Sequence, residues 1–286
     1  WDAIASDFEF AAANLPAIQP EVGRPKKSAA FAYLAKVRLY QAYEQDDNYT
    51  VTQINPVTLQ KSIDAANQVI GNYTLESDFG YNFLPGTHEN GSEAVFSIQY
   101  SDNDGTLFGR LNYGDVLSLP QGLGCCDFHK PSQNLVNAFK TNAQGLPMFD
   151  TYNDEDLDYK QLNNYKVDPR LYHTVAMPGL PWKYEKDKIY QESWVRSPGT
   201  YGYYASLKEN VPVGCGCTVN IDPFYGNSKN RIIIRYSDVL LMKAEALIEL
   251  GRVNEALPLI NQVRERAANS TVLTGSYTSN NLISKY

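Results

Sequence analysis

The sequence is poor in the residues from which metal centres and active sites are most often built. In 286 residues there are three histidines, three methionines, three tryptophans and four cysteines. The histidines (His88, His129 and His173) form no H-x₃₋₅-H pair, and the cysteines lack the C-x₂₋₄-C spacing of structural zinc sites, so no metal ligand is expected. Basic residues are also scarce: 25 Lys and Arg face 32 Asp and Glu, for a net charge of −7, with no basic run. That excludes the electrostatic footprint of a nucleic-acid-binding protein. Long apolar runs are missing too. Stretches such as Ile232 to Ile234 and Val239 to Met242 fall far short of the ~20 residues needed to cross a bilayer as a helix. There is no G-x-S-x-G elbow, H-E-x-x-H pair or phosphate-binding glycine loop, so neither a catalytic residue nor a cofactor is expected. No initiator Met, basic segment or apolar leader precedes Trp1, and the chain reads as a fragment or a processed product.

Tyrosine is abundant by contrast, with 21 residues, and the chain is long enough to bury a substantial core. Helical signals cluster at its two ends. Residues 2–15 have helical periodicity. Ser28 is expected to cap a helix from Ala29 to Tyr43, and Pro56 to open another carrying Leu59, Ile63, Ala66, Val69 and Ile70 as far as Gly71. Towards the other end, Tyr236 to Leu250 carries Val239, Leu240, Ala244, Leu247 and Ile248 on one face. Gly251 closes that helix, and Asn254 to Ala267 forms the next, with Pro258 tolerated near its start. Small Ala244 and Ala256 fall where the helices of a tetratricopeptide-type hairpin approach closely. Between these ends, Glu93 to Tyr100 alternates like a short strand and Ser132 to Lys140 reads as a short helix. Gly, Pro, Asn and Asp punctuate the rest. The expected fold is mainly α: tetratricopeptide-like helical hairpins in an α-α superhelix, within a single domain. The scaffold lies at about 1–72 and 231–268, and a loop-rich insertion at about 73–230 carries the ligand contacts.

Several segments, in order, resemble the SusD/RagB family of outer-membrane nutrient-binding lipoproteins. The most specific is Arg235 to Ala246 (RYSDVLLMKAEA), followed by Gly251 and Asn261 to Ala267 (NQVRERA). Lys27 to Lys36, Ala65 to Ile70 with Tyr73 to Leu75, Asn90 to Tyr100, Pro131 to Phe139 and Asp168 to Arg170 extend the similarity over roughly Asp7 to Ala267. The resemblance implies a non-catalytic protein that captures glycans, or in some branches peptides, on the outer face of the outer membrane and delivers them to a SusC-like TonB-dependent transporter. Family members are typically longer at both ends and begin with a lipidated cysteine. Membrane association is therefore expected only through a lipid anchor that no residue of this chain bears.

Aromatic faces beside polar groups suit sugar rings, whose C–H faces are apolar and whose hydroxyls need hydrogen bonds. The candidate ligand contacts are Trp182, Tyr184, Trp194, Tyr201, Tyr203 and Tyr204, in a Gly- and Pro-punctuated stretch, with Phe128 and Asp127 in the loop Gly122 to His129. The competing reading is that these rings pin loops onto the scaffold. Cys125, Cys126, Cys215 and Cys217 form two close pairs about ninety residues apart. They are read as two disulfides joining the pairs, with three possible connectivities, or as free thiols. Cys125 and Cys126 occupy a Gly-rich loop where relatives often carry Gly and an aromatic, and the resemblance assigns them no role. Asp154, Glu155, Asp156 and Asp158 read as a solvated acidic face rather than a glycosidase pair. Asp102 to Gly105 resembles the start of a calcium loop, but Tyr113 holds its twelfth position in place of Glu. Asp238, Glu245, Arg264 and Arg266 read as structural. Two rivals remain for the function: a peptide-binding member of the same architecture, and a tetratricopeptide-type protein-interaction adaptor.

Overall fold

The computed structural model describes residues 1–107, 109–221 and 224–270. The chain divides into two compact units. The first comprises Trp1–Glu76, Asn90–Gln99 and Arg231–Val263, and the second Ser77–Glu89, Tyr100–Asn230 and residues 264–270.

The first unit is helical. It contains α1 (Asp2–Asn14), α2 (Lys27–Ala42), α3 (Pro56–Asn67), α7 (Tyr236–Glu249) and the larger part of α8 (Val253–Ala268). Alanines at 29, 30, 32, 35 and 42 are buried along α2, and their small size lets α1 and α3 pack closely against it. The serine expected to cap α2 does not do so. The helix starts two residues earlier, at Lys27, with extended Lys26 at the cap position, and Ser28 Oγ instead lies 2.7 Å from the Tyr73 hydroxyl. A tertiary partner outcompeted the local backbone donors for that hydroxyl. Asn55 caps α3, its Oδ1 accepting from Val57 N and Thr58 N at 3.1 Å each, with Pro56 in the first turn. Buried Ser62 donates to Ala35 O at 2.8 Å, so the α2–α3 contact leaves that hydroxyl satisfied.

Early and late helices of this unit meet in shared cores. Ala35, Ala66, Val69, Val239, Leu240 and Val263 share one apolar cluster, and Leu39, Leu59, Ile63, Ala244, Leu247 and Ala256 share another. A two-stranded antiparallel ribbon joins them, pairing β3 (Ala94–Ile98) with β10 (Arg231–Arg235) in the register Ile232↔Ser97 and Ile234↔Phe96. A second hairpin, β1 (Tyr43–Gln45) with β2 (Val51–Ile54), projects its residues toward solvent. β10 feeds directly into α7, where Asp238 accepts from Arg235 N at 2.8 Å and from its guanidinium at 3.2 Å. The far end of α7 is a Schellman motif: Arg252 N donates to Leu247 O and Gly251 N to Ile248 O, with Gly251 at φ +72°. Ala244 and Ala256 are both fully packed, as the close hairpin approach requires.

The second unit is built from short pieces. α4 (Gln133–Asn137) is shorter than the sequence pattern implied. Ser132 Oγ accepts from Leu135 N at 3.1 Å, but the chain leaves the helix before Lys140, which pairs with Val167 in an isolated bridge. α5 (Arg170–Thr174) and α6 (Pro198–Tyr201) are single turns. The strands form antiparallel pairs: β4 (Val175–Ala176) with β7 (Ala205–Ser206), β5 (Pro181–Trp182) with β6 (Glu185–Ile189), and β8 (Thr218–Ile221) with β9 (Phe224–Asn227). Among the described residues no sheet exceeds two strands. One core gathers Val136, Leu157, Val167, Leu171, Val175 and Tyr204, and another Trp182, Tyr190, Val195, Ala205 and Leu207. The architecture is the mainly helical, tetratricopeptide-like scaffold with a loop-rich central region that the sequence predicted. Among the described residues no helix is long and apolar enough to cross a membrane.

Candidate functional site

The aromatic stretch divides into buried and exposed members. β5 and β6 are joined by Lys183 and Tyr184, both at positive φ (+40° and +71°), in a turn that ordinarily favours Asn and Gly. Three side chains anchor it. Trp182 is 0% exposed and donates from Nε1 to Val211 O at 3.2 Å. Lys183 Nζ donates to Leu207 O, and burial pulls its pKa well down. The Tyr184 hydroxyl lies 2.7 Å from His173 Nδ1. Burial drives the His173 pKa down to about 4, with the Asp78 charge acting in the opposite direction. Tyr204 is 6% exposed, and its hydroxyl donates to Leu157 O at 3.2 Å. Trp182 and Tyr204 are buried and Tyr184 is half-buried, each with its polar atom satisfied inside the protein. Tyr203 is half-buried in a different cluster, 5.7 Å from the Tyr159 ring and beneath Lys160. The Tyr159 hydroxyl donates there to Glu192 at 2.7 Å.

Trp194 lies over the Gly122 loop. A Cβ built on Gly122 would fall 2.4 Å from Trp194 Cγ, so only glycine lets the indole sit there. The same loop presents Phe128 to solvent. Asp127 and His129 flank it at φ +55° and +53°, while Asp127 N and Phe128 N donate to Leu119 O and Leu117 O at 2.9 and 2.8 Å. The Asp127 carboxylate is fully buried. Its Oδ2 accepts from Lys130 Nζ and from Arg196 N, both at 2.7 Å. Among the described residues neither Asp127 Oδ1 nor the Tyr190 hydroxyl finds a hydrogen-bond partner. Burial, with the Asp127 charge second, makes Tyr190 harder to ionise.

Three of the eight candidates, Asp127, Phe128 and Tyr201, line one cavity of about 400 Å³, together with His129, Lys130, Pro131, Ser132 and Arg196. Phe128 is 47% exposed and Tyr201 60%. The Arg196 guanidinium carbon sits 5.1 Å from the Phe128 ring centre. Arg196 was within the aromatic segment, but nothing in its local sequence marks it as the group that meets Phe128 from 68 positions away.

Each cysteine pair closes on itself. The bridges are Cys125–Cys126 and Cys215–Cys217, not links between the pairs, and among the described residues no cysteine is free. Neighbours with Cα atoms 3.7 and 5.2 Å apart reach each other without any movement of the rest of the chain. The second bridge lines another cavity, of about 550 Å³, with Tyr100, His88, Glu89 and Asp102. Burial raises the Glu89 pKa, against the lowering effect of hydrogen bonding from Asn230 N. The sequence pattern did not reveal this cavity, because its walls come from four separated segments.

The acidic clusters are occupied by internal donors. Asp104 accepts from Ser101, Thr106 and Arg110, which hold it well below the usual carboxylate range. Asp156 accepts from Asn137 Nδ2 at 2.9 Å and Asp158 from Lys160 N at 2.9 Å. Among the described residues no set of three His, Cys, Asp or Glu side chains is placed to hold a metal ion. Glu245 accepts from the Tyr43 hydroxyl at 2.8 Å, Arg264 donates to Gly145 O at 3.1 Å, and Arg266 stacks on Phe79.

A family model described as the SusD family matches residues 92–285. Two curated relatives from Formosa agariphila are similar to almost the whole chain. SusD-like protein P38 is 25% identical, covering 92% of this chain and 47% of the relative. SusD-like protein P2 is 26% identical, covering 93% and 46%. Among solved structures, a SusD-like carbohydrate-binding protein from Bacteroides fragilis superposes with a TM-score of 0.67 at 23% identity, covering 93% of this chain and 50% of that one. A structure solved with xylogluco-oligosaccharide superposes with a TM-score of 0.60 at 20% identity, covering 92% and 48%. The chain spans about half the length of the curated relatives it matches. With the family model covering well over half of its residues, the chain belongs to the SusD family.

Proposed function

We propose that the chain is part of a non-catalytic cell-surface protein that binds oligosaccharides at the Phe128–Tyr201 cavity. In this reading it serves a SusC-like TonB-dependent transporter at the outer face of the outer membrane, where a lipid anchor would hold it. Family membership supports the binding role, as do solved neighbours described as carbohydrate-binding or as holding an oligosaccharide. The observation that carries the location is the exposure of two aromatic rings, Phe128 and Tyr201, in the walls of one concave site bordered by polar groups. A flat ring covers the C–H face of a sugar, while neighbouring side chains and backbone groups meet its hydroxyls.

Loop rigidity favours the same role. The Cys125–Cys126 ring restrains the peptide entering Asp127, and the backbone bonds to Leu117 and Leu119 fix the direction of Phe128 before any ligand arrives. Preorganisation of this kind reduces the ordering cost of binding. Calorimetric titration with a panel of soluble glycans and mixed peptides tests the proposal. Saturable glycan binding is expected, weakened about fivefold or more by Phe128→Ala or Tyr201→Ala in folded protein, as befits loss of a stacking surface of about 1–3 kcal/mol. Glycan binding untouched by both substitutions would move the site elsewhere. Saturable binding of peptides alone would replace the glycan reading.

A further inference from the structure

We infer that this cavity selects acidic oligosaccharides, with Arg196 as the group that receives a carboxylate or sulfate of the sugar. The inference rests on the reading of the cavity as a glycan site and adds the chemistry of its ligand.

The argument begins with charge. Asp127 is the carboxylate of the cavity wall, and its charge is paired through Oδ2. Its side chain is fully buried, and Oδ2 holds Lys130 Nζ at 2.7 Å and Arg196 N at 2.7 Å. The Asp127 and Lys130 charges cancel, which leaves the Arg196 guanidinium as the uncompensated charge of the lining. No carboxylate among the described residues lies within ion-pair distance of it. The side chain is exposed, and Nη1 makes one long contact of 3.5 Å with Cys126 O. Most of its five donors are therefore open to a ligand.

Its orientation is set by the platform beneath it. With Cζ 5.1 Å from the centre of the Phe128 ring, the guanidinium is held by cation–π attraction, and its backbone N is tied to Asp127. A planar fork fixed in this way presents paired N–H groups, the geometry that receives an anionic oxygen pair from a carboxylate or sulfate. The exposed Tyr201 and Phe128 rings beside it supply faces for the sugar itself.

The positive character is local. The chain as a whole carries −7, and another cavity of the same unit, of about 550 Å³, is lined by Glu89 and Asp102. An unpaired arginine in one concavity of an acidic protein is thus a feature of that concavity rather than of the surface at large.

The test titrates the purified chain with three tetrasaccharides of matched length: a neutral galactan, an oligogalacturonide and a sulfated galactan. The expected result is tighter binding of at least one acidic tetramer than of the neutral one by about tenfold or more, with the carboxylated and sulfated arms showing which anion is preferred. That preference should shrink as salt rises from low to high ionic strength. In Arg196→Gln the acidic-to-neutral affinity ratio should fall to near one, and Arg196→Lys should restore part of it, since lysine keeps the charge and loses the fork. Circular dichroism melting establishes that each variant is folded, and the salt dependence of the unsubstituted chain tests the inference even where a variant is not. Equal affinities for neutral and acidic tetramers, lost together in Phe128→Ala, would overturn the acidic selectivity and leave the glycan site standing. A preference that survives Arg196→Gln would overturn the role of Arg196. Failure of all three tetramers to bind, with no binding elsewhere in the glycan panel, would overturn both.

Discussion

The two compact units solve the same problem with different materials. In the first, helices bury apolar faces on one another, and the polar backbone is satisfied within each helix. Buried alanines along α2, and Ala244 with Ala256 in one apolar cluster, allow the close approach that such packing uses. In the second, the chain is mostly irregular, so side chains and short ribbons must pair the backbone groups: Trp182 caps Val211 O, Lys183 caps Leu207 O, and Asn210 donates to Ser206 O. The difference teaches where a binding surface can arise. A helical hairpin uses its large side chains on its neighbours, whereas a loop held from beneath by polar anchors leaves rings such as Phe128 and Tyr201 to face outward.

The sharpest way to break this comparison is Trp182→Ala. If the second unit depends on anchored aromatics as the first depends on helix faces, the substitution should cost about 3–5 kcal/mol in urea unfolding. A stable variant that lost only ligand binding would return Trp182 to the site. Next in size is the response to acid. His173 is held neutral by burial, with a folded value near 4 against an ordinary 6.5. Its contribution is therefore fully present above pH 6.5 and is lost as pH falls toward 4, on the order of 3 kcal/mol at most. Melting temperatures from pH 7 to 4.5 should fall, and His173→Gln should flatten that slope. Gly122→Ala forces the Trp194 ring to move and should cost about 1–3 kcal/mol. Near-ultraviolet circular dichroism would register the displaced indole. The smallest effect belongs to the helical unit, where Asn55→Ala removes the α3 cap and should cost about 1 kcal/mol with no change in glycan affinity.

The helical unit was largely legible in the sequence because its signals are local and periodic. Its misreading, Ser28 as a cap, came where a distant tyrosine competed for the hydroxyl. The loop-rich unit was legible in composition rather than in role. Aromatic content marked the segment from Trp182 to Tyr204, but a ring's burial depends on what lies beyond it in space. Tyr204 ended up against Leu157, while Tyr201, three residues earlier, stayed outside. Phe128 and Asp127 became candidates through the glycine-rich loop that bears them. Arg196 was not singled out, because its meaning depends on a ring 68 positions upstream. The cavity beside Cys215 and Cys217 was invisible for the same reason.

The self-closing of both cysteine pairs means that no covalent bond other than the backbone joins any two distant parts of the chain. A protease that cuts once within the exposed loops between Cys126 and Cys215 would leave two pieces held only by packing and hydrogen bonds, separable by detergent without a reducing agent. Oxidation likewise cannot trap these four thiols in a long-range mispairing once each has bonded its near neighbour. The order in which the rest of the chain folds is then free of any covalent constraint from its cysteines.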